Sequence, residues 1–476
     1  MIDALKPYPK MKDSGVEWLG MVPEHWEVVP LCSVAKTKSI SGKNNRELLS
    51  VYLGLGVVRF SDVQEKRTNV TSEDISKYQA VDPGDFVLNN QQAWRGSVGV
   101  SKYTGIVSPA YLVLSLNSHI DSDFANKLFR DQSMVSQYLV ASKGVGTIQR
   151  NLYWPHLRRA STLLPPLPEQ TAIVRYLDYM DRRIRRLIRA KRKLITLLNE
   201  QKQVIIHHAV TRGLDPNVPL KDSGVEWLGM VPEHWEVKKI KDQMFFCGGG
   251  TPSKAEPSYW KGDIPWVSPK DMKCDILLDT EEHITEQAIV ESSTNLVPSG
   301  SILIVVRSGI LQRTIPIVLC ARQVALNQDM KALLPKKNLN KKYFVSLVRG
   351  NENIFLTLWT KQGATVESIE HQYLANTLIP IPPVQEQTAI VEYLDQVTAN
   401  IDTAITRARR EIDLLTEYRT RLIADVVTGK VDVREVAARL PDETNETESP
   451  DLADGIGDEG EMPEEKFSEV GEELEA

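Results

Sequence analysis

Two stretches of the chain place apolar residues at alternating intervals of four and three. The first line runs through Ile173, Leu177, Met180, Ile184, Leu187, Leu194, Leu198 and Ile205, widened by Ile188 and Ile195. The second runs through Ile390, Leu394, Val397, Ile401, Ile405, Ile412, Leu415, Leu422 and Val426. This is the seam of a coiled coil, and it predicts two helices of about 40 residues, roughly 60 Å each at 1.5 Å per residue. Prolines precede both, at 165, 166 and 168 and again at 380, 382 and 383, where they stop a strand and set the helix start. A stripe this long must be covered, and the obvious cover for each helix is the other one. Elsewhere the apolar residues form short β-rich runs (DFVLNN, YLVLSL, SILIVV, TIPIVLC) between clusters of Gly, Pro, Ser and Asn. Such runs predict mixed α+β domains built around a sheet.

The two halves are copies. KDSGVEWLGMVPEHWEV at 12–28 recurs unchanged at 221–237. LPEQTAIVRYLD at 167–178 returns as VQEQTAIVEYLD at 384–395, and AVTRG at 209–213 is answered by VVTGK at 426–430. Between these anchors the halves diverge, with faint echoes such as PGDFVL (83–88) and PSGSILI (298–304). Each half is therefore a fixed lead-in, a variable region and a fixed trailing helix. The fold class predicted is α+β: two mixed α/β domains separated by two long antiparallel coiled-coil helices, related by a pseudo-two-fold, with the domains at opposite ends of a rod. The boundaries fall at 1–164 (first domain), 165–213 (first helix), 214–381 (second domain), 382–432 (second helix) and 433–476 (an acidic, mostly disordered tail).

The 476 residues, 42% apolar and 25% charged, have the composition of a soluble protein. No apolar run approaches the roughly 18–20 residues of a membrane span, and the N-terminus lacks a signal-peptide core, so a cytoplasmic protein is expected. From Pro441 onward there are fifteen acidic residues and one lysine, a charge of −14, whereas residues 1–440 carry +8. A mildly basic body with an acidic, aromatic-poor tail suits an anion-binding protein with a disordered end.

The catalytic inventory is thin. There is no phosphate-binding loop of the G-x-x-x-x-G-K-[ST] type, no G-x-S-x-G, no H-E-x-x-H and no Asn/Asp-Pro-Pro-aromatic element. Cys32, Cys247, Cys274 and Cys320 lie far apart without a C-x-x-C pair, so buried free thiols are expected rather than zinc ligands. His207 and His208 are adjacent on a helix, hence about 100° apart, and cannot easily share a metal. No catalytic residue and no metal site is assigned.

Binding signals are stronger. The helical run DRRIRRLIRAKRK (181–193) has Asp181 as its sole acid and reads equally as a phosphate track or as a solvated helix face. The loops SKGVGTIQRN (142–151) and TKQGATVES (360–368) precede the two helices and combine Lys, Gly, Thr and Gln. Lys143, Thr147, Gln149 and Arg150 in the first, and Lys361, Gln362 and Thr365 in the second, are candidate DNA contacts, the alternative being a plain turn. Lys143, Arg150 and Lys361 suit phosphates, while Gln149 can reach a base edge. The stretch CGGGTPSKAEPSYWKGDIPWVSPKDM (247–272) adds Thr251, Ser253 and Lys254 as donors. Its glycines allow close approach of backbone to a ligand, and Trp260 and Trp266 pin the loop.

These elements together carry a resemblance. The GGGTPS…IPW stretch, the doubled EQTAIV helices with proline-rich lead-ins, and DSGVEWLGMVPEHWEV resemble the specificity (S) subunit of type I restriction–modification systems, across residues 12–432. The resemblance implies a non-catalytic reader of double-stranded DNA with two target recognition domains, each reading half of a bipartite site. It implies that the repeated helices separate those domains and dock two methyltransferase (M) subunits, which hold S-adenosylmethionine. A translocating restriction (R) subunit, using ATP and magnesium, would join to cut unmethylated DNA. The first variable region lacks the GGTPS…IPW signature, and the acidic tail matches no family element. Alternatives are a specificity subunit of a modification system outside type I, a coiled-coil protein scaffold, and a self-sufficient DNA-modifying enzyme that lacks a cofactor motif. The acidic tail is expected to compete with DNA for basic surface. Deleting residues 441–476 should tighten non-specific DNA binding at low salt and change little at high salt; equal affinity at every salt concentration would make the tail passive.

Overall fold

The computed structural model describes residues 5–43, 45–62, 75–145, 149–360 and 366–441, with Val145 and Gln149 described by their backbone alone. Thr147, Lys361, Gln362, Thr365 and the acidic tail beyond Pro441 lie outside the described residues. The chain divides into two compact units, Met1–Ile188 with Asp413–Ala476, and Arg189–Ile412. The predicted helices are present as α1 (Leu167–Arg212) and α2 (Val384–Val427). Each is shared between the units, so each unit contains the start of one helix and the end of the other.

Within each unit the helices run antiparallel. In the first, Arg419 pairs with Asp181. In the second, Lys191 lies 2.6 Å from Glu411 and Lys202 lies 2.6 Å from Asp402, so positions on α2 fall as those on α1 rise. On α2, Ile390, Leu394, Ile401, Ile405, Leu422 and Val426 are buried, as the spacing predicts, with Ala408 among them. On α1, Ile173, Leu177, Met180, Ile184 and Ile188 are buried, but Leu187 and Leu194 are 45% and 42% exposed. The buried stripe continues through half-buried Ile195 and Leu198 to Ile206 and Ala209, keeping the 3.6-residue period of a straight helix. A strict heptad repeat drifts about 20° per turn of the pattern from that line, which carries Leu187 and Leu194 off the covered face.

The first unit is built on an antiparallel sheet of β1 (Ala35–Thr37), β2 (Asp85–Asn89), β3 (Val98–Val100) and β4 (Tyr111–Leu116), in the order β1-β4-β2-β3. Phe86, Leu88 and Leu114 enter the main core while Val87 and Val113 enter a second cluster with Leu49, Val51 and Val107. Apolar side chains on both faces of the pleat explain why DFVL reads as a continuous run rather than an alternation. Helices Ser122–Phe129 and Gln132–Val140, capped by Asp121 and Asp131, close one face.

The second unit repeats this with unrelated text. Its sheet comprises β5 (Met244–Gly248), β6 (Ile276–Leu277), β7 (Ile302–Val305), β8 (Ile317–Cys320) and β9 (Met330–Pro335), in the order β5-β9-β7-β8-β6. The first four positions reproduce the order of the first unit; β6 is an added parallel edge strand. The echo PGDFVL/PSGSILI marks the turn entering β2 and β7, where Gly84 (φ +91°) and Gly300 (φ +78°) occupy the left-handed region.

The repeated segments interlock in both units. Near the start of α1, Glu169 accepts hydrogen bonds from Trp26 Nε1 (2.9 Å) and Tyr8 Oη (2.5 Å), and His25 Nε2 lies 2.7 Å from it. Burial, then the Glu169 carboxylate, push the Tyr8 phenol far above its ordinary range, so it stays a donor. At α2, Glu386 accepts from Trp235 Nε1 (3.0 Å), with His234 Nε2 at 2.8 Å. The next residue is a buried glutamine in each. Gln170 accepts from the Asp121 backbone N–H (2.7 Å) and donates to the carbonyls of His119 (3.0 Å) and Pro165 (2.8 Å). Gln387 accepts from the Asn340 N–H (2.7 Å) and donates to the carbonyls of Asn338 (3.0 Å) and Pro382 (2.8 Å). Removing either amide takes the partner from three backbone groups, of which the buried proline carbonyl is left unsatisfied at a cost of about 1–3 kcal/mol. Gln170→Ala should therefore speed amide hydrogen exchange at 119–125 and 165–175, and Gln387→Ala at 338–344 and 382–390. Unchanged exchange would show that the carboxamides are dispensable.

Candidate nucleic-acid interface

In the second unit the Gly-rich stretch follows β5 and folds against its own domain. Gly249 and Gly250 lie so close to neighbouring backbone that a Cβ would meet Asn327 O at 2.1 Å and Ser293 O at 2.8 Å; at Gly262 it would meet Ile284 O at 2.1 Å. The close approach anticipated for a ligand is thus made by the chain itself. Gly248 alone of the triplet has open space around it. The tryptophans pin the loop as expected. Trp266 Nε1 donates to Gly250 O (3.1 Å), Trp260 Nε1 donates to Ser253 O (3.0 Å), and the rings meet edge to face at 5.0 Å. Lys254 holds its ammonium 5.6 Å from the Trp260 ring, exposed beside Ser253, and Thr251 bonds to the exposed Gln328.

A chain of contacts brings this loop toward the segment before α2. Gly249 packs on Asn327, whose neighbour Asp329 pairs with Arg307 Nε (2.6 Å), and Arg307 forms a β-bridge with Ser368. A second bridge joins Thr360 to Ile369. Candidates Thr251, Ser253 and Lys254 and the flanks of the 361–365 loop therefore belong to one connected region. Lys331 on β9, paired in register with Gly248, has its pKa lowered by burial. His371 is lowered as well, first by burial and then by the Lys331 charge.

In the first unit the loop 142–151 is a hairpin, Ser142–Val145 against Gln149–Leu152, with Lys143 opposite Asn151 and Gly144 opposite Arg150. Lys143 Nζ sits 4.1 Å from the Tyr153 ring centroid. Arg150 lies over the Trp94 ring at 5.7 Å, and Arg95 covers the same ring at 4.6 Å. No sequence motif marks Trp94 and Arg95. The signal available was an aromatic and an arginine inside NNQQAWRG, a polar stretch with no apolar periodicity to recruit the tryptophan to a core.

Other candidates resolve into structure. In the basic run of α1, Arg185 and Arg419 both bond to Asp181, and Lys191 pairs with Glu411, so part of that charge holds the helix pair together. His207 Nδ1 bonds to Asn351 Oδ1 (2.8 Å) while His208 is exposed, as adjacent helical positions require. Of the four cysteines only Cys320 is buried; Cys274 is exposed in the turn that follows Asp271, and Cys32 and Cys247 are intermediate, because none but Cys320 lies at a core-facing sheet position. Among the described residues no three metal-ligating side chains cluster.

Residues 232–412 match the family model described as the type I restriction modification DNA specificity domain. The chain is 38% identical over 201 residues to the type I restriction enzyme EcoR124I/EcoR124II specificity subunit of Escherichia coli, covering 42% of this chain and 47% of that one. It is 30% identical over 179 residues to the MjaIX specificity subunit of Methanocaldococcus jannaschii, covering 36% of this chain and 40% of that one. The matched stretch thus spans about half the length of these two relatives or less. A longer match, 24% identical, joins 87% of this chain to 96% of the putative MjaX specificity subunit of the same archaeon. Among solved structures, a chain from a study of assembly and conformational transition of the type I R-M system shares the fold with a TM-score of 0.65 at 18% identity, covering 85% of this chain and 98% of that one. The HsdS subunit from Thermoanaerobacter tengcongensis aligns with a TM-score of 0.50 at 17% identity, covering 86% and 98%.

The glycine geometry is open to a paired test. Gly249→Ala forces a methyl into backbone and should destabilise the second unit by about 1–3 kcal/mol, the range for overpacking, with faster hydrogen exchange at 247–253 and 324–329. Gly248→Ala meets open space and should leave both unchanged. Equal tolerance of the two would refute the packing role.

Proposed function

We propose that this chain, whose residues 232–412 match the type I restriction modification DNA specificity domain, reads double-stranded DNA for a multisubunit adenine methyltransferase and endonuclease while performing none of the chemistry itself. The observation that carries this is one frame built twice around unlike contents. The Trp–Glu–Gln interlock is the same in both units. The sheets share their strand order, yet the text between the repeated anchors diverges. A catalyst needs one working site, whereas a reader of a bipartite sequence needs two equivalent mounts with different readers.

In this reading residues 1–164 and 214–381 are the target recognition domains, and 165–213 and 382–432 are the helices that fix the spacing of the half-sites. Residues 433–476 form an appended acidic tail. Lys143, Arg150, Lys254 and Lys361 contact phosphates, to which the short hydroxyls of Thr147, Ser253 and Thr365 are also suited, while Gln149, Gln362 and Thr251 are placed toward base edges. The helices also dock two M subunits. Within the second unit α1 leaves Leu194, Leu197 and Val204 exposed at 42%, 52% and 67%, spaced three and seven residues apart in a second apolar stripe that suits a partner helix. S-adenosylmethionine belongs to the M subunits, and ATP and magnesium to R subunits that complete the enzyme in the cytoplasm. No described helix is long and apolar enough to cross a membrane.

Co-expression with the M subunit, followed by mapping of methylated adenines in host DNA, tests the reading. The purified chain alone should transfer no methyl groups, and the complex should methylate one split, asymmetric site. Exchanging residues 30–160 for those of another specificity subunit should change one half-site and leave the other intact. A change in both halves, or turnover by the chain alone, would overturn it.

A further inference from the structure

The connection between the third and fourth sheet positions is a tight 3-10 turn in both units, Ala93–Arg95 between β2 and β3 and Gly309–Gln312 between β7 and β8. In both, the residue leaving the hairpin or bridge before the long helix is tied to the strand end that enters the turn: Leu152 N–H donates to Asn90 O (3.0 Å), and Ile369 N–H donates to Val306 O (2.8 Å). The turn and the loop preceding the helix are thus held side by side by the same main-chain device. Their contents differ. The first turn carries Trp94 and Arg95, the second an exposed Ile310 followed by exposed Gln312 and Arg313.

In the first unit the arrangement is built in detail. Ala93 is buried and Gly96 (φ +99°) closes the turn, so its position is fixed by the core. Trp94 Nε1 donates to Gln91 O (2.9 Å), which satisfies the indole's only polar atom internally and leaves the ring as a platform. On that platform lie two guanidinium groups from segments 55 residues apart in sequence, Arg95 at 4.6 Å and Arg150 at 5.7 Å. Lys143 on Tyr153 adds a third cation on the same hairpin. Among the described residues no carboxylate pairs with Arg95, Arg150 or Lys143, and Arg150 Nε is buried without an acceptor. A cation–π contact orients a charge without neutralising it. Two arginines held together against their mutual repulsion therefore leave a concentrated positive potential whose complement is a polyanion. Stacking also restricts the guanidinium, so less rotamer freedom is lost when its planar donor fork meets the paired acceptors of a guanine edge.

We infer that this turn is a base-reading element in both units, and that Arg95, stacked on Trp94 beside Arg150, reads a guanine in the first half-site. The inference rests on the specificity-subunit reading and assigns to it residues that no sequence motif identifies. The difference between the two turns, Trp-Arg against Ile-Leu-Gln-Arg, then contributes to the difference between the half-sites.

The test uses the full chain assembled with M subunits, with methylated sites mapped and binding of the wild-type site measured against salt. Arg95→Ala and Trp94→Ala should relax one G·C position of the first half-site by roughly five- to hundredfold, the discrimination of one good bidentate contact. The second half-site should be unchanged in the same molecules, which reports that the chain is folded. Arg95→Lys keeps the charge and loses the fork: the salt slope should stay at its wild-type value while the position remains relaxed. Restoration of both by lysine would reduce Arg95 to a phosphate contact and overturn the inference, as would wild-type selectivity in Arg95→Ala. Absence of sequence-restricted methylation by the wild-type complex would instead overturn the specificity-subunit reading, and this inference with it.

Discussion

The structure depends on a carboxylate and a carboxamide at the start of each long helix. Glu169 and Glu386 stand where the helix presents free N–H groups and a partial positive charge, which favours an anion there. Each carboxylate is then occupied by the indole N–H of a tryptophan from the repeated EHWEV segment. The adjoining glutamine bonds to three backbone groups, among them a buried proline carbonyl. The opposite helix end completes the arrangement. Gly213 (φ +79°) lies where a Cβ would meet Glu386 Oε1 at 2.9 Å and Trp235 at 3.2 Å, and Gly429 (φ +74°) lies where one would meet Pro23 at 2.5 Å and Trp26 at 3.0 Å. Four separated segments meet in each unit, and a change in one is felt by the other three. Near-identity of the repeated text follows from that interlocking.

The same physics leaves the intervening regions free. A sheet covered on both faces requires apolar residues of suitable volume, and many combinations satisfy that requirement. β2 and β7 share a turn glycine and little else, yet both sit at the centre of equivalent sheets. Loops at the sheet edge face no packing constraint at their tips, so their chemistry can change while their anchors stay. Asymmetry also enters the frame. In the first unit Tyr8 closes over Glu169, with Arg434 stacked on its ring, whereas Glu386 keeps a 26% exposed side chain.

Much of the organisation was legible in the residues. The two long helices, their proline lead-ins, the internal repeat and the α+β character were all visible as spacing or repetition, because periodic burial and interlocking packing leave periodic or repeated residues. The candidate contacts were legible only where composition was unusual. Lys254 and its Trp260 platform stood out in a Gly- and Trp-rich stretch, whereas Trp94 and Arg95 occupy an undistinguished polar segment. The glycines of 248–250 show the converse difficulty, since a residue that permits close approach does not say what approaches.

The sequence by itself determined that this chain is a duplicated frame with two α+β domains and two long helices, since repetition and the helical period are properties of residue order. Tertiary structure decided which apolar stripe on α1 is covered, because a straight helix and a heptad diverge by an angle that matters only once a partner is placed. It decided that Gly249 accommodates Asn327 rather than a ligand, and that part of the basic run stabilises the helix pair. It also decided that Arg95 and Arg150 share one indole. Those outcomes depend on distances between segments far apart in the chain, which residue order constrains only through the whole fold.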